Sequence, residues 1–251
     1  MNHFFTEPYN ITEDTVIING NDVRHIKNVL RMKAGDELLV SDGNGHDYHC
    51  VINSVDEKEI SCRILSEEAS GNESTVKFFL FQGLPKSDKL EHIIQKSVEL
   101  GVYEIIPVQT ARSIVKYDKN KLAAKLQRWN RISESAAKQS RRGIIPRVSD
   151  IMSFTQAMKY ASELDLVLMP YENFKDMKAT RAALNMIRPG MKVGILIGPE
   201  GGFEQDEVER AAKPVQEGGT GAVLISLGSR ILRTETAPLM LLSVLMFAQE
   251  I

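Results

Sequence analysis

Two stretches near the C-terminus set charged side chains beside glycine bends. In KVGILIGPEGGFEQDEVE an apolar run ends at Ile197 and turns through Gly198, Pro199, Glu200, Gly201 and Gly202. In AVLISLGSRILRTETAPLMLL a run ends at Leu227, bends at Gly228, and presents Arg230, Arg233 and Glu235 before an apolar segment. A third run, Leu164 to Met169, leads into Pro170-Tyr171-Glu172. Ligands of a parallel α/β sheet lodge beyond the carboxyl ends of its strands. Glycine there lets a ligand come close to the backbone and permits positive φ. Two arginines and two glutamates in such loops fit a pocket for a polar, partly charged ligand. The plainer reading of GPEGG is a tight turn leading into a helix. Arg233 has Glu235 and Glu200 as possible partners, and Thr234 is the expected cap of the last helix.

The elements that must hold these loops change character along the chain. From Glu37 to Leu65 the pattern is short, strand-like and broken by turns, with Ser41-Asp42-Gly43-Asn44-Gly45 as the clearest turn, so a small antiparallel barrel or sheet is expected. Before it, Asn21 to Met32 spaces Val23, Ile26, Val29 and Leu30 as one face of a helix capped by Asn21 or Asp22. The polar stretch Glu67 to Ser74 reads as a domain boundary. Beyond it strands and helices alternate: strand 76–82, helix 88–100, strand 103–108, a long basic helix from Asp118 to about Ser140, strand 164–169, helix 176–187, strand 192–197, helix 204–213, strand 222–227 and helix 234–249. That rhythm predicts a mostly parallel sheet.

Composition narrows the chemistry. The 251 residues are 43% hydrophobic and 25% charged, with a net charge of −2, as in an ordinary globular protein. Residues 1–70 carry a net charge of −7, whereas residues 116–147 carry +8, a local footprint for a polyanion or simply a solvated helix face. No GxxxxGK[ST] loop, GxSxG elbow, HExxH or CxxC pair is present, which sets aside P-loop hydrolysis, a serine elbow and a metal site. Cys50 and Cys62 make no disulfide framework, and the N-terminus has no apolar leader, so a cytoplasmic protein is expected. The apolar run Pro238 to Ala248 is too short to span a bilayer.

LIGPEGGF followed by LG-x-x-ILRTETA resembles the RsmE family, SPOUT-class methyltransferases of small-subunit ribosomal RNA. HIKNVLRMKAGDELLVSDGNG, LPKSDKLEHIIQKSVELGVYEIIPVQTARS, RWNRISESAAKQSRRGIIPRV and LMPYE match further segments of that family, in order and over nearly the whole chain. Ser229-Arg230 stands where the family more often has Pro-Arg. The resemblance implies an α/β protein with a PUA-like β-barrel RNA-binding domain, here residues 1–70. A SPOUT domain would follow at 74–251, with a C-terminal trefoil knot at about 192–240. It further implies a homodimer, without metal or membrane, that binds S-adenosylmethionine and methylates N3 of one uridine in 16S rRNA of the 30S subunit.

Carried over by motif, the cofactor residues are Leu168, Pro170, Glu172, Ile197, Gly198, Pro199, Gly201, Gly202, Leu227, Gly228, Ile231 and Leu232. Arg233 is the candidate for stabilising negative charge on the uracil, and Glu200 for accepting the proton or orienting Arg233. Arg24, Arg31, Lys86, Lys89, Arg141, Arg142 and Arg147 are the candidates for gripping RNA phosphates. The competing reading is a non-catalytic RNA-binding protein whose α/β half is scaffold.

Overall fold

Alternation of apolar and polar residues builds a curled sheet from the first part of the chain. Its strands are β1 (Asn2–Phe5), β2 (Thr15–Asn19), β3 (Glu37–Ser41), β4 (His46–Val55) and β5 (Glu59–Ala69), in the order β1-β3-β4-β5-β2. Pairing is antiparallel except between β1 and β3, which run parallel. Phe4, Val16, Ile18, Leu38, Val40, Cys50, Ile52, Ile60 and Cys62 face inward and are buried, the period of two expected of strands. Burial pushes both thiols up to about 12, so neither is reactive. The sequence reading finds β3, β4 and β5 but not β1 or β2, although Asn19-Gly20 at the end of β2 is a turn signal.

The computed structural model describes residues 1–115 and 119–249, the side chains of 119–121 and 249 excepted. Asp118, the expected start of the basic helix, and Lys116 of the basic block lie outside the described residues, as do the side chains of Lys119 and Lys121. Two compact units emerge: Met1–Glu73 with Ala137–Ile145, and Ser74–Ala136 with Pro146–Ile251. The first unit thus takes in a short stretch that the sequence reading assigns to the second domain.

Within the first unit, α1 (Asn21–Arg24) passes directly into a π-helical turn, His25–Leu30. Gly20, at φ 71°, occupies the cap position in place of Asn21 or Asp22. The wider turn rotates its side chains away from 3.6-residue spacing. Val23 and Ile26 stay buried, but Val29 is 67% exposed, contrary to the helical expectation. Asp22 instead accepts from Lys138 Nζ at 2.9 and 3.0 Å. His3 Nε2 lies 2.6 Å from Ser41 Oγ, and that hydroxyl donates to Asp47. The proton order therefore runs His to Ser to Asp, the reverse of a nucleophilic serine site.

Arg142 is 3% exposed, and its Nε donates to Glu73 at 3.0 Å, the same carboxylate that accepts from Gly143 N at 3.0 Å. This guanidinium is committed to the interior of the first unit and not to a phosphate.

The second unit holds a parallel sheet of seven strands: β6 (Lys77–Gly83), β7 (Glu104–Gln109), β8 (Arg147–Val148), β9 (Met152–Ser153), β10 (Leu166–Pro170), β11 (Lys192–Ile197) and β12 (Val223–Ile225). The order is β12-β10-β11-β6-β7-β8, with β9 also on β7. Its central strands are apolar throughout because helices cover both faces. The connecting helices are α2 (Lys89–Glu99), α3 (Lys119–Ser140), α4 (Phe154–Ala161), α5 (Met177–Leu184), α6 (Gln205–Ala212) and α7 (Thr236–Gln249). α2 buries Leu90, Ile93, Ile94 and Val98 as its spacing predicts, and α3 buries Trp129 and Ala136 while Leu122 and Leu126 are half-buried. The sequence reading misses α4. Its signal was a capping box, Ser153 to Gln156.

Gly83 ends β6 where the turn after β11 crosses. A Cβ there would meet Pro199 Cδ at 2.6 Å, Pro199 N at 2.7 Å and Gly198 C at 3.0 Å, mostly backbone that has no room to yield. Replacing Gly83 by Ala should cost about 1–3 kcal/mol of stability in urea unfolding, as overpacking does; an unchanged transition would show that the turn moves aside. Glu73→Ala, which strips Arg142 of this carboxylate, should cost about 2 kcal/mol in the same measurement, and a loss below a few tenths would place the guanidinium's support elsewhere.

Candidate functional site

Strands β11, β10 and β12 lie side by side and parallel, so their carboxyl ends finish together. Beyond those ends opens a cavity of about 440 Å³, within the range of small-molecule sites. Pro170, Tyr171 and Glu172 reach it from β10; Ile197 to Glu200 with Gly202 and Phe203 from β11; Ser226 to Gly228 and Arg230 to Thr234 from β12. The three loops singled out in the sequence therefore share one pocket. Among the expected cofactor residues, Leu168 and Gly201 do not line it. Leu168 is wholly buried within β10. Gly201 turns its carbonyl to Arg112, whose Nη1 donates at 2.7 Å while Nε and Nη2 hold Glu204 at 2.9 and 3.1 Å. Lys175, Phe203, Ser226 and Ala237 line the cavity without having been anticipated. Ser226, next to last in the run that ends at Leu227, is the most legible of them.

The bends are built by backbone closure and one hydroxyl. Gly202 N donates to Pro199 O at 2.9 Å, closing the first turn, with Gly202 at φ 67°. Gly228, at φ 100°, gives the second bend its reversal. Thr234 does not spend its side chain on the helix that follows. Its hydroxyl donates to Gly198 O at 2.7 Å and accepts from Gln82 Nε2 at 3.0 Å, joining the two bends to β6. The first turn of α7 is closed instead by Thr236 N and Ala237 N on Arg233 O. Ser226 N donates to the buried Thr180 hydroxyl at 2.9 Å, which fixes the end of β12 to α5.

Charge is distributed unevenly around the pocket. Glu200 accepts from the backbone amide of Lys86 at 3.2 and 3.3 Å and lies 3.1 Å from Lys89 Nζ. Burial alone would raise its carboxyl, but its own amide, Lys89 and the Lys86 amide together hold it below the ordinary carboxylate range. Glu235 is shifted down in the same way, opposed by burial and favoured by its own amide, Lys89 and Arg233. Lys89 is raised by hydrogen bonds to Glu200 and then Glu235. Glu200 thus has Lys89, not Arg233, as its partner, and a carboxylate so stabilised is a weak proton acceptor. Arg230 and Arg233 both line the cavity, both are exposed, and neither forms an ion pair among the described residues.

Ile197, Leu227 and Leu232 line the cavity beside the glycines of the bends, a mixed apolar and polar lining suited to a ligand with both kinds of group. Among the described residues no cluster of His, Cys, Asp or Glu would hold a metal ion, and no helix is long and apolar enough to cross a membrane.

The residues expected to grip RNA are distributed over both units. In the first, Arg24 ends α1 exposed, Arg31 is exposed at φ 54°, Arg141 is exposed at φ 57°, and Arg142 is buried. In the second, Lys86 and Arg147 are exposed and Lys89 is engaged by two carboxylates.

Comparison with known proteins agrees with this architecture at both ends of the chain. A model described as an RNA methyltransferase domain matches residues 72–246, and one described as an RNA methyltransferase PUA domain matches residues 18–65. The chain is 40% identical over 240 residues to ribosomal RNA small subunit methyltransferase E of Bacillus subtilis (strain 168), covering 94% of this chain and 91% of that protein. The protein of the same name from Synechocystis is 30% identical, over 92% of this chain and 72% of its own length. Among solved structures, ribosomal RNA small subunit methyltransferase E from Neisseria gonorrhoeae, determined bound to S-adenosyl methionine, is similar with a TM-score of 0.82 and 32% identity, covering 99% of this chain and 98% of that one. With both domain models matched in order and relatives aligned almost end to end, the chain belongs to the RsmE family of ribosomal RNA small subunit methyltransferases.

Proposed function

We propose that this protein is an S-adenosylmethionine-dependent methyltransferase acting on N3 of one uridine in the 16S rRNA of the small ribosomal subunit. The observation that carries the reading is the meeting of three glycine- or proline-marked strand ends at one cavity, with two guanidinium groups on its wall that form no ion pair among the described residues. S-adenosylmethionine, when bound, supplies a methyl group on a sulfonium centre. Pro170, Ile197, Leu227 and Leu232 would pack its apolar part, and the backbone of the bends its polar groups. Alignment of donor and acceptor supplies much of the rate in such a displacement. For N3 to act as nucleophile its proton must leave, and the negative charge spreads onto the uracil carbonyls. Arg233, exposed on the cavity wall and without an ion pair among the described residues, would stabilise that charge, with Arg230 beside the same bend. Glu200 acts by holding its turn in place.

The wider reading includes a first domain at 1–70 that binds RNA through Arg24 and Arg31, joined by Arg141 from the 137–145 stretch of the same compact unit. The catalytic domain spans 74–251, its bends threaded as a SPOUT trefoil knot at about 192–240. The protein acts as a cytoplasmic homodimer that needs no metal. The pocket's intact bends leave the non-catalytic alternative without support.

Incubation of the purified protein with 30S subunits and S-adenosylmethionine, followed by mass spectrometry of the digested rRNA, should reveal N3-methyluridine; methylation of another base, or of none, would sink the reading. Arg233→Ala should lower turnover about 100-fold while leaving cosubstrate affinity within about two-fold. Turnover equal to wild type would remove Arg233 from the mechanism.

A further inference from the structure

Three segments distant in sequence meet at one ammonium group. Lys89 Nζ lies 3.1 Å from Glu200 Oε1 and 3.1 Å from Glu235 Oε2. Glu200 belongs to the bend after β11, and Glu235 to the segment that leads from the bend after β12 into α7. Lys89 opens α2, whose position is set by the burial of Leu90, Ile93 and Ile94. The Lys86 amide, three residues earlier, holds the same Glu200 carboxylate. The side chains of Lys89, Glu200 and Glu235 are 29%, 28% and 23% exposed, so water screens them only in part. Two carboxylates facing one cation repel each other once that cation is removed.

We propose that Lys89 is a positioning residue of the methyl-transfer site, a cationic staple that holds the 198–202 and 228–235 bends together around the cosubstrate, and not a contact to RNA phosphate. This rests on the assignment of the cavity to S-adenosylmethionine. The staple is charged across the neutral range, since both acids are shifted down and the amine up. The groups facing the two acids are Lys89, the Lys86 amide, the acids' own amides and Arg233. Without Lys89 none of these bridges the bends, and the two negative charges drive them apart. Protonating either acid removes that repulsion. A variant lacking the amine therefore regains affinity as pH falls, whereas the wild type, with both carboxyl groups already ionised below the ordinary range, does not change.

The test uses the full chain, titrated with S-adenosylmethionine by calorimetry and assayed for methyl transfer to 30S subunits. Lys89→Met should weaken cosubstrate binding about ten-fold near pH 8 and distinctly less near pH 5.5. Its KM for the cosubstrate should rise while kcat stays within about two-fold. Lys89→Arg should restore binding, and adding Glu235→Gln to Lys89→Met should recover part of the loss. RNA affinity measured by filter binding should stay unchanged. Wild-type affinity in Lys89→Met, a loss that is the same at both pH values, or lost RNA affinity with intact cosubstrate binding would each overturn the staple. If Lys89→Met melts below the assay temperature, Lys89→Arg and the double variant decide: weak cosubstrate binding by both overturns it. Wild-type protein that gives no heat with S-adenosylmethionine overturns the cavity's assignment itself, and the staple with it.

Discussion

A single hydroxyl ties the site together. Thr234 donates to the carbonyl of Gly198 and accepts from Gln82, so the two bends and the central strand β6 share one buried hydrogen-bonded junction. The junction is possible because Gly83 and Gly198 leave the backbones free to approach, while Gly202 supplies the positive φ that closes its turn; any side chain at Gly83 would collide with Pro199. Glycine spacing and one threonine thus decide whether the carboxyl ends of three strands form a pocket or merely end near one another. The charges come second. They add to the hold of a junction that has already brought the bends together.

Around that junction the second unit supports the pocket from several sides. Arg112 grips the outer face of the first bend through Gly201 O and Glu204, and Ala111 N reaches Glu207 at 2.9 Å. Thr180 holds Ser226 at the end of β12. Arg230 and Arg233 stand on the same wall, exposed and without an ion pair among the described residues. A wall built this way offers charge to an incoming anion or a polarised carbonyl without first having to break a contact.

Much of this was legible in the residues. Apolar runs ending in Gly198-Pro199 and at Gly228 marked the strand ends, and the alternation after Ser74 marked the parallel sheet. Spacing cannot report which partner a charge selects across the fold. Lys89 looks like a phosphate ligand until α2 is placed against two acids, and Arg142 looks exposed until Glu73 is seen beside it. Thr234 reads as a helix cap because caps are local, whereas its real partners, Gly198 and Gln82, are distant in sequence. Val29 departs from the helical expectation for a different reason: one π-helical turn breaks the 3.6-residue period that would bury it.

The two cysteines lie on the neighbouring paired strands β4 and β5 of the curled sheet, both buried, with their thiol pKa values pushed up to about 12. No other cysteine exists in the chain. A thiol-specific label at neutral pH therefore meets no thiolate while that sheet is closed. Uptake of maleimide becomes a clock for the opening of the N-terminal unit alone, silent to whatever the parallel sheet is doing, and it needs no introduced probe.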